Sequence, residues 1–134
     1  MNNEHQDVLD LIADLEKQGA AFTSTPHYDA DGDCIHYFFR DCACNATRID
    51  DILTLFYSKS DGELVGIQLK GFRMLARLVD KMSHGDHRNV SIDSVLECIY
   101  TMREISRSRR EQIDAMRKQH RNRLSAFIPE EAFS

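Results

Sequence analysis

The feature that most constrains this fold is an Asp-Gly turn, Asp61-Gly62, between two segments of alternating apolar residues. Glycine adopts positive φ at little steric cost, and aspartate tolerates that conformation and can bond its own backbone. Apolar side chains recur at every second position on both sides of the turn. This period of two predicts a β-hairpin over residues 52–69. Its expected inward face consists of Leu53, Leu55, Tyr57, Val65, Ile67 and Leu69.

The opposite face of this hairpin is not cleanly polar, because Phe56 and Leu64 fall on it, together with Phe38 from an earlier segment. We therefore expect a helix of the same chain or a second chain to cover part of it. Gly66 lies inside the second strand, which indicates a β-bulge or a close approach of another group to the backbone.

A second, shorter hairpin is predicted around Asp31-Gly32, where Ile35, Tyr37 and Phe39 alternate with more polar residues. Residues 41–48 lack periodicity and are predicted to form a loop. The two hairpins together predict a sheet of about four antiparallel strands within residues 27–70.

Apolar residues at helical spacing predict helices over residues 6–18 and 72–82. In the second of these, Phe72, Leu75, Ala76 and Val79 are expected to point inward. Residues 94–126 contain no Gly or Pro, which indicates one long helix or two helices broken near residues 106–108. Ser91 or Asp93 is expected to cap its start. The predicted fold class is therefore α+β, as a single domain over residues 1–134 with a helical region at 72–126 and a long C-terminal helix.

The segment from Tyr28 to about Phe72 resembles a class of small bacterial domains of unknown function. Their pattern has a Tyr-Asp opening, here Tyr28-Asp29, and an Asp leading into an apolar strand, here Asp33. It ends in a second hairpin with Gly62 and Val65-Gly66-Ile67. The resemblance implies a compact antiparallel sheet with a helix, in a small accessory, inhibitor-like or antitoxin-like protein.

Composition places the chain among ordinary globular proteins, with 42% hydrophobic and 29% charged residues. Its longest apolar run is far short of the roughly 20 residues that span a bilayer, so we expect no membrane partner. The first residues are acidic and lack a basic segment before an apolar run, so we expect no export signal. The four cysteines are then expected to be reduced thiols in a cytoplasmic protein.

The strongest charge feature is residues 103–123, with eight basic residues against three acidic ones. Three alternatives stay open for this surface: a solvated or self-associating face, a surface that docks on an acidic protein, or a nucleic-acid contact. The aromatic stacking residues of nucleic-acid binders are absent there. The candidate partner-binding residues are Arg103, Arg107, Arg109, Arg110, Arg117, Lys118, Arg121, Phe56 and Leu64.

Three groups carry potential metal ligands. The first is Asp29, Asp31 and Asp33, which have the spacing of the first calcium ligands of an EF-hand. Gly32 and Arg40 occupy positions where the EF-hand pattern has other residues, so a solvated turn is the better interpretation. Cys42 and Cys44, with His36 or His27, offer zinc ligands without the second pair that structural zinc sites have. His84, Asp86 and His87 offer a metal or acid–base cluster in a predicted loop.

No complete catalytic, phosphate-binding or dinucleotide-binding motif is present, so no cofactor or catalytic residue is predicted. The leading hypothesis is a non-enzymatic adaptor or regulatory protein that binds another protein, with a homodimer as its expected assembly. A nucleic-acid-associated regulator is the first alternative. A small metal-binding protein or enzyme is the second.

Overall fold

The computed structural model describes residues 22–83 and 90–133. The helix predicted over residues 6–18 lies outside this range, as do His84, Asp86 and His87. In the described ranges, no helix combines the length and the apolar character needed to cross a membrane.

The described residues form a sheet of five antiparallel strands in the order β1-β2-β5-β4-β3. They are β1 (His27–Asp29), β2 (Cys34–Phe38), β3 (Cys44–Arg48), β4 (Leu53–Ser58) and β5 (Leu64–Lys70). Both predicted hairpins are present, and the α+β fold class is confirmed. The loop predicted over residues 41–48 is wrong, because most of it forms β3. This edge strand pairs with β4 alone and most of its side chains are exposed, so apolar alternation was not needed to hold it.

A β-bulge interrupts the pairing of β4 with β5. Phe56 lies opposite Gly66 and Tyr57 lies opposite Leu64, so β5 advances by two residues where β4 advances by one. Val65 is the extra residue. Leu64 therefore shares a face with Tyr57 and joins the main core, so its expected place on the outer face is wrong. A single inserted residue reverses the facing of everything beyond it.

Gly66 fits the expectation of a close approach to the backbone. An added Cβ there would lie 2.5 Å from Cδ1 of Phe38, whose ring covers the glycine. Phe56 stands on the other side of Gly66, and the two ring centroids are 4.8 Å apart. The glycine thus gives two aromatic side chains from non-adjacent strands room to meet on the outer face.

Within the described part of the chain, four helices follow the sheet: α1 (Phe72–Ser83), α2 (Ile92–Met102), α3 (Arg107–Gln119) and the single turn α4 (Arg121–Leu124). The prediction of α1 and its four inward residues is confirmed. Ser91 caps α2, accepting a hydrogen bond from the Ser94 N–H. A 3₁₀ turn, Glu130–Phe133, closes the described chain.

The single long C-terminal helix is not formed, and the alternative with a break near residues 106–108 is confirmed. Arg103 ends α2 with an extended backbone, and Ser106 caps α3 by accepting from the Arg109 N–H. Serine competes for helical backbone groups and is favoured at such caps. A second interruption at His120 separates α3 from α4.

The helices pack on the inward face of the sheet. One buried cluster joins Leu53, Leu55, Ile67 and Leu69 of the strands to residues of α1, α2, α3 and α4. Gln112 of α3 also donates to the Tyr57 hydroxyl on this face. The basic helical segment therefore lies on the inward side and is not the helix expected to cover Phe38 and Phe56.

Candidate functional site

Much of the basic segment is used inside the molecule. Arg110 donates to the backbone carbonyls of Tyr100 and Arg103, at 2.7 and 3.2 Å, and so caps the C-terminus of α2. Arg117 donates to both carboxylate oxygens of Asp93, and this hydrogen bond is the main cause that raises the pKa of Arg117. These contacts hold α3 against α2, so two of the candidate partner-binding arginines have structural roles.

Two more of these cations form exposed ion pairs: Arg103 with Asp51 at 2.7 Å and Arg107 with Glu111 at 3.2 Å. Arg109, Lys118 and Arg121 are exposed, and none of their side chains forms an ion pair within residues 22–83 and 90–133. Lys118 and Arg121 border an open depression of about 250 Å³, whose lining also includes Asp93, Asp114 and Arg117. Two carboxylates in that lining oppose the concentrated positive charge that phosphate binding needs.

The outward side of α1 carries two parallel rows of side chains. Met74, Leu78 and Met82 form one row at intervals of four residues, and Met74 and Met82 are 78% and 60% exposed. Arg73, Arg77 and Lys81 form a second row beside it, and all three are exposed. Residues four apart form a ridge on a helix surface, so α1 presents an apolar ridge next to a cationic ridge.

The α1 ridges were not predicted as a site. In residues 72–82, the inward apolar stripe alone was enough to predict the helix, so the outward residues were given no role. The signal was nevertheless present in the sequence FRMLARLVDKM, where two sets of residues outside the inward stripe repeat at i, i+4 and i+8. Met74 and Met82 in this row are largely exposed, and exposed apolar patches mark contact surfaces.

Phe56, the remaining candidate, lies half-buried on the outer face of the sheet beside Phe38. The same face carries Cys34 and His36, which alternate with inward residues of β2. Asp29 lies directly opposite Cys34 in the β1–β2 pairing, so its side chain emerges on that face as well. One ligand atom from each of these three residues lies within 4.8 Å of the other two.

Cys34 is the central member of this cluster. Its Sγ lies 3.0 Å from Nε2 of His36 and 3.9 Å from Nε2 of Gln68, which extends from the neighbouring strand β5. Only 5% of Cys34 is exposed, and this burial raises the pKa of its thiol. In the absence of a bound cation, the thiol form is therefore favoured, and Cys34 is hydrogen-bonded to His36 and Gln68.

The other predicted ligand groups are dispersed. Cys42 is exposed in the loop before β3, while Cys44 belongs to the edge strand farthest from β1 and His27. The three aspartates with EF-hand spacing have separate tasks: Asp29 accepts from backbone N–H groups of the turn, and Asp33 bonds Tyr28 and the start of α1. Asp31 is exposed. In the described ranges, Asp29, Cys34 and His36 are the only three such ligands found together.

Comparison with known proteins gives no family assignment: no family model, no curated protein and no solved structure matches the chain. The resemblance of residues 28–72 to a class of small bacterial domains therefore stays a prediction. Functional inference depends on the surfaces described above.

Proposed function

We propose that this protein is a non-enzymatic adaptor or regulatory protein that binds an acidic amphipathic helix of a partner protein on the outward face of α1. The observation that supports this most is the pair of parallel ridges, Met74–Leu78–Met82 and Arg73–Arg77–Lys81. A helix docks by placing its own ridge into the groove between two ridges of its partner.

The apolar ridge supplies the contact area. Methionine side chains are unbranched and polarisable, which suits them to surfaces that accept varied apolar partners. Met82 is partly ordered before any partner arrives, because its Sδ accepts from the Cys98 thiol at 3.0 Å. Ordering before binding lowers the entropy that association costs.

The cationic ridge favours a partner helix of negative charge. Arg77 and Lys81 form no ion pair in the described part of the chain, so their charges are available to an approaching carboxylate. Two copies of α1 would place these cations against each other, which disfavours self-association through this face. The homodimer stays a prediction, to be tested by sedimentation and assigned to another surface if found.

The test uses two labelled helical peptides with the same apolar stripe, one flanked by Glu and one by Lys, and measures binding to the full chain by fluorescence anisotropy. The acidic peptide is expected to bind, and its affinity should fall with added salt because salt screens surface charges. The double variant Arg77→Glu/Lys81→Glu should lower the affinity for the acidic peptide by at least about tenfold, roughly 1.4 kcal/mol. The same variant should raise the affinity for the basic peptide.

The matched control is Lys118→Glu/Arg121→Glu, which reverses two exposed cations on α3 and α4 instead. It should leave the affinity for the acidic peptide within about twofold if the site is α1. Met74→Gln removes apolar contact at a side chain that is 78% exposed, so it should weaken binding without unfolding the protein. Equal binding of both peptides, or equal losses in the two charge-reversed variants, would contradict the proposal.

A further inference from the structure

The edge hairpin β1–β2 brings together three different kinds of metal ligand on the outer face of the sheet. Asp29 offers a carboxylate oxygen, Cys34 a sulfur and His36 an imidazole nitrogen, with mutual separations of at most 4.8 Å. The pairing fixes this arrangement, since Asp29 lies opposite Cys34 and His36 follows two residues later on the same face.

The Asp29 carboxylate is oriented by the turn. Its Oδ1 accepts from the backbone N–H groups of Asp31 and Gly32, at 3.1 and 3.3 Å. Its Oδ2 makes neither of these bonds. A Cβ placed on Gly32 would lie 2.9 Å from Asp29 Oδ2 and 3.3 Å from Cys34 Sγ. Both ligand atoms therefore border the same small space beside Gly32, which a side chain at that position would narrow.

We propose that Asp29, Cys34 and His36 form a binding site for Zn²⁺, with the fourth coordination position left to solvent. Zinc takes cysteine sulfur, histidine nitrogen and carboxylate oxygen together, and sites with three protein ligands keep one open position. Calcium and magnesium prefer oxygen ligands throughout, so the thiolate and imidazole select against them.

The distances suit one ion. With bonds of about 2.3 Å to sulfur and about 2.0 Å to nitrogen, two ligands at a tetrahedral angle lie roughly 3.5 Å apart. Cys34 Sγ and His36 Nε2 are 3.0 Å apart, so they need to separate by only about half an ångström. Cys34 binds as a thiolate, and its proton passes to solvent on binding. The Gln68 amide is placed to donate to the bound sulfur from β5.

The bound ion would link β1 to β2. β1 has only three residues and, among residues 22–83 and 90–133, pairs with β2 alone. A zinc ion held by Asp29 of β1 and by two residues of β2 would tie this edge strand to the sheet. None of the three ligands belongs to α1, so the zinc site shares no residue with the proposed docking surface.

The test is titration of the metal-free, reduced full chain with Co²⁺, followed by displacement with Zn²⁺. A thiolate-to-cobalt charge-transfer band saturating at about one ion per chain is expected from one Cys ligand in a zinc-type site. Cys34→Ser should abolish the band. Asp29→Asn and His36→Gln should each weaken zinc binding by at least about tenfold.

Cys42→Ser and Cys44→Ser are the matched controls, because they remove thiols that are outside the cluster. Both should keep the band. Cys34 is buried, so Gly32→Ala provides a second test at an exposed position: it should weaken zinc binding while circular dichroism shows an intact fold. A band that persists in Cys34→Ser, or that is lost in Cys42→Ser or Cys44→Ser, overturns the proposal, as does the absence of any band in the unaltered chain.

Discussion

The carboxylate of Asp33 caps α1 from the turn of the first hairpin: its Oδ1 accepts from the backbone N–H of Arg73, forty residues later in the chain, at 3.0 Å. The same oxygen accepts from the Tyr28 hydroxyl at 2.8 Å, and the Asp33 carbonyl accepts from the N–H groups of Gly71 and Phe72. Asp33 has a positive φ of 50°, a conformation that aspartate tolerates better than most residues. The turn of the first hairpin thus holds the start of α1.

Removal of the Asp33 side chain should destabilise the protein. Asp33→Gly keeps the backbone freedom but loses the bonds to Tyr28 and Arg73, and we expect a cost of about 1–2 kcal/mol in the free energy of unfolding. Asp33→Ala should cost more, because alanine is also strained at positive φ. Urea unfolding measures both. A smaller cost for Asp33→Ala than for Asp33→Gly would contradict the role of the backbone conformation.

Gly66→Ala should be destabilised by the contact of the new Cβ with Phe38. We expect about 1–3 kcal/mol, the usual cost of overpacking. In the background of Phe38→Ala the same change should cost much less, so a double-mutant cycle should give a coupling energy well above about 0.5 kcal/mol. Gly62→Ala is the contrasting variant: it has open space but a φ of 71°, so its cost should not depend on Phe38.

Arg109 and Arg110 are adjacent, yet the structure gives them different roles. Arg110→Ala leaves the carbonyls of Tyr100 and Arg103 without their donor and should cost about 1–2 kcal/mol of stability. Arg109→Ala removes an exposed side chain and should change stability by less than about 0.5 kcal/mol. Thermal unfolding of the two variants distinguishes them. Similar effects would show that Arg110 does not cap α2.

The charged carboxylate of Asp61 should stabilise the folded protein at neutral pH but not in acid. The ion pair with Arg40, at 3.1 Å, and the backbone N–H of Glu63 lower the pKa of Asp61 to about 2. The folded form therefore holds this carboxylate charged at a pH where the unfolded chain, with a pKa of about 3.9, is protonated. The contribution is complete above about pH 4 and is lost as the pH falls towards 2.

Carbon-detected NMR titration of the Asp61 carboxyl measures this pKa directly. In Arg40→Gln the midpoint should rise towards the ordinary aspartate value, because the hydrogen bond from Arg40, the main cause of the lowered pKa, is removed. Asp61→Asn should flatten the acid limb of the stability curve between pH 4 and 2. An unchanged midpoint in Arg40→Gln would show that the exposed ion pair is not formed in solution.

The local signals in the sequence were sufficient for the two hairpins, α1 and the α+β class. The two hairpins have alternating apolar residues and their own turn residues, Asp31-Gly32 and Asp61-Gly62, and α1 has its own apolar stripe. Edge strand β3 has neither, because it is held by hydrogen bonds to β4 and faces solvent. Sequence spacing offered Cys42 and Cys44 only as possible zinc ligands, whereas strand pairing places Asp29 opposite Cys34.

What the sequence determined by itself is therefore the pattern along each element: which residues alternate, which cap and which turn. The tertiary structure alone decided how elements face each other. One bulge residue, Val65, moved Leu64 into the core, and the packing of α2 against α3 turned Arg110 and Arg117 into internal contacts. Which side of a strand or helix meets another element depends on strand register and on packing between distant segments. Neither of these leaves a local periodic signal in the sequence.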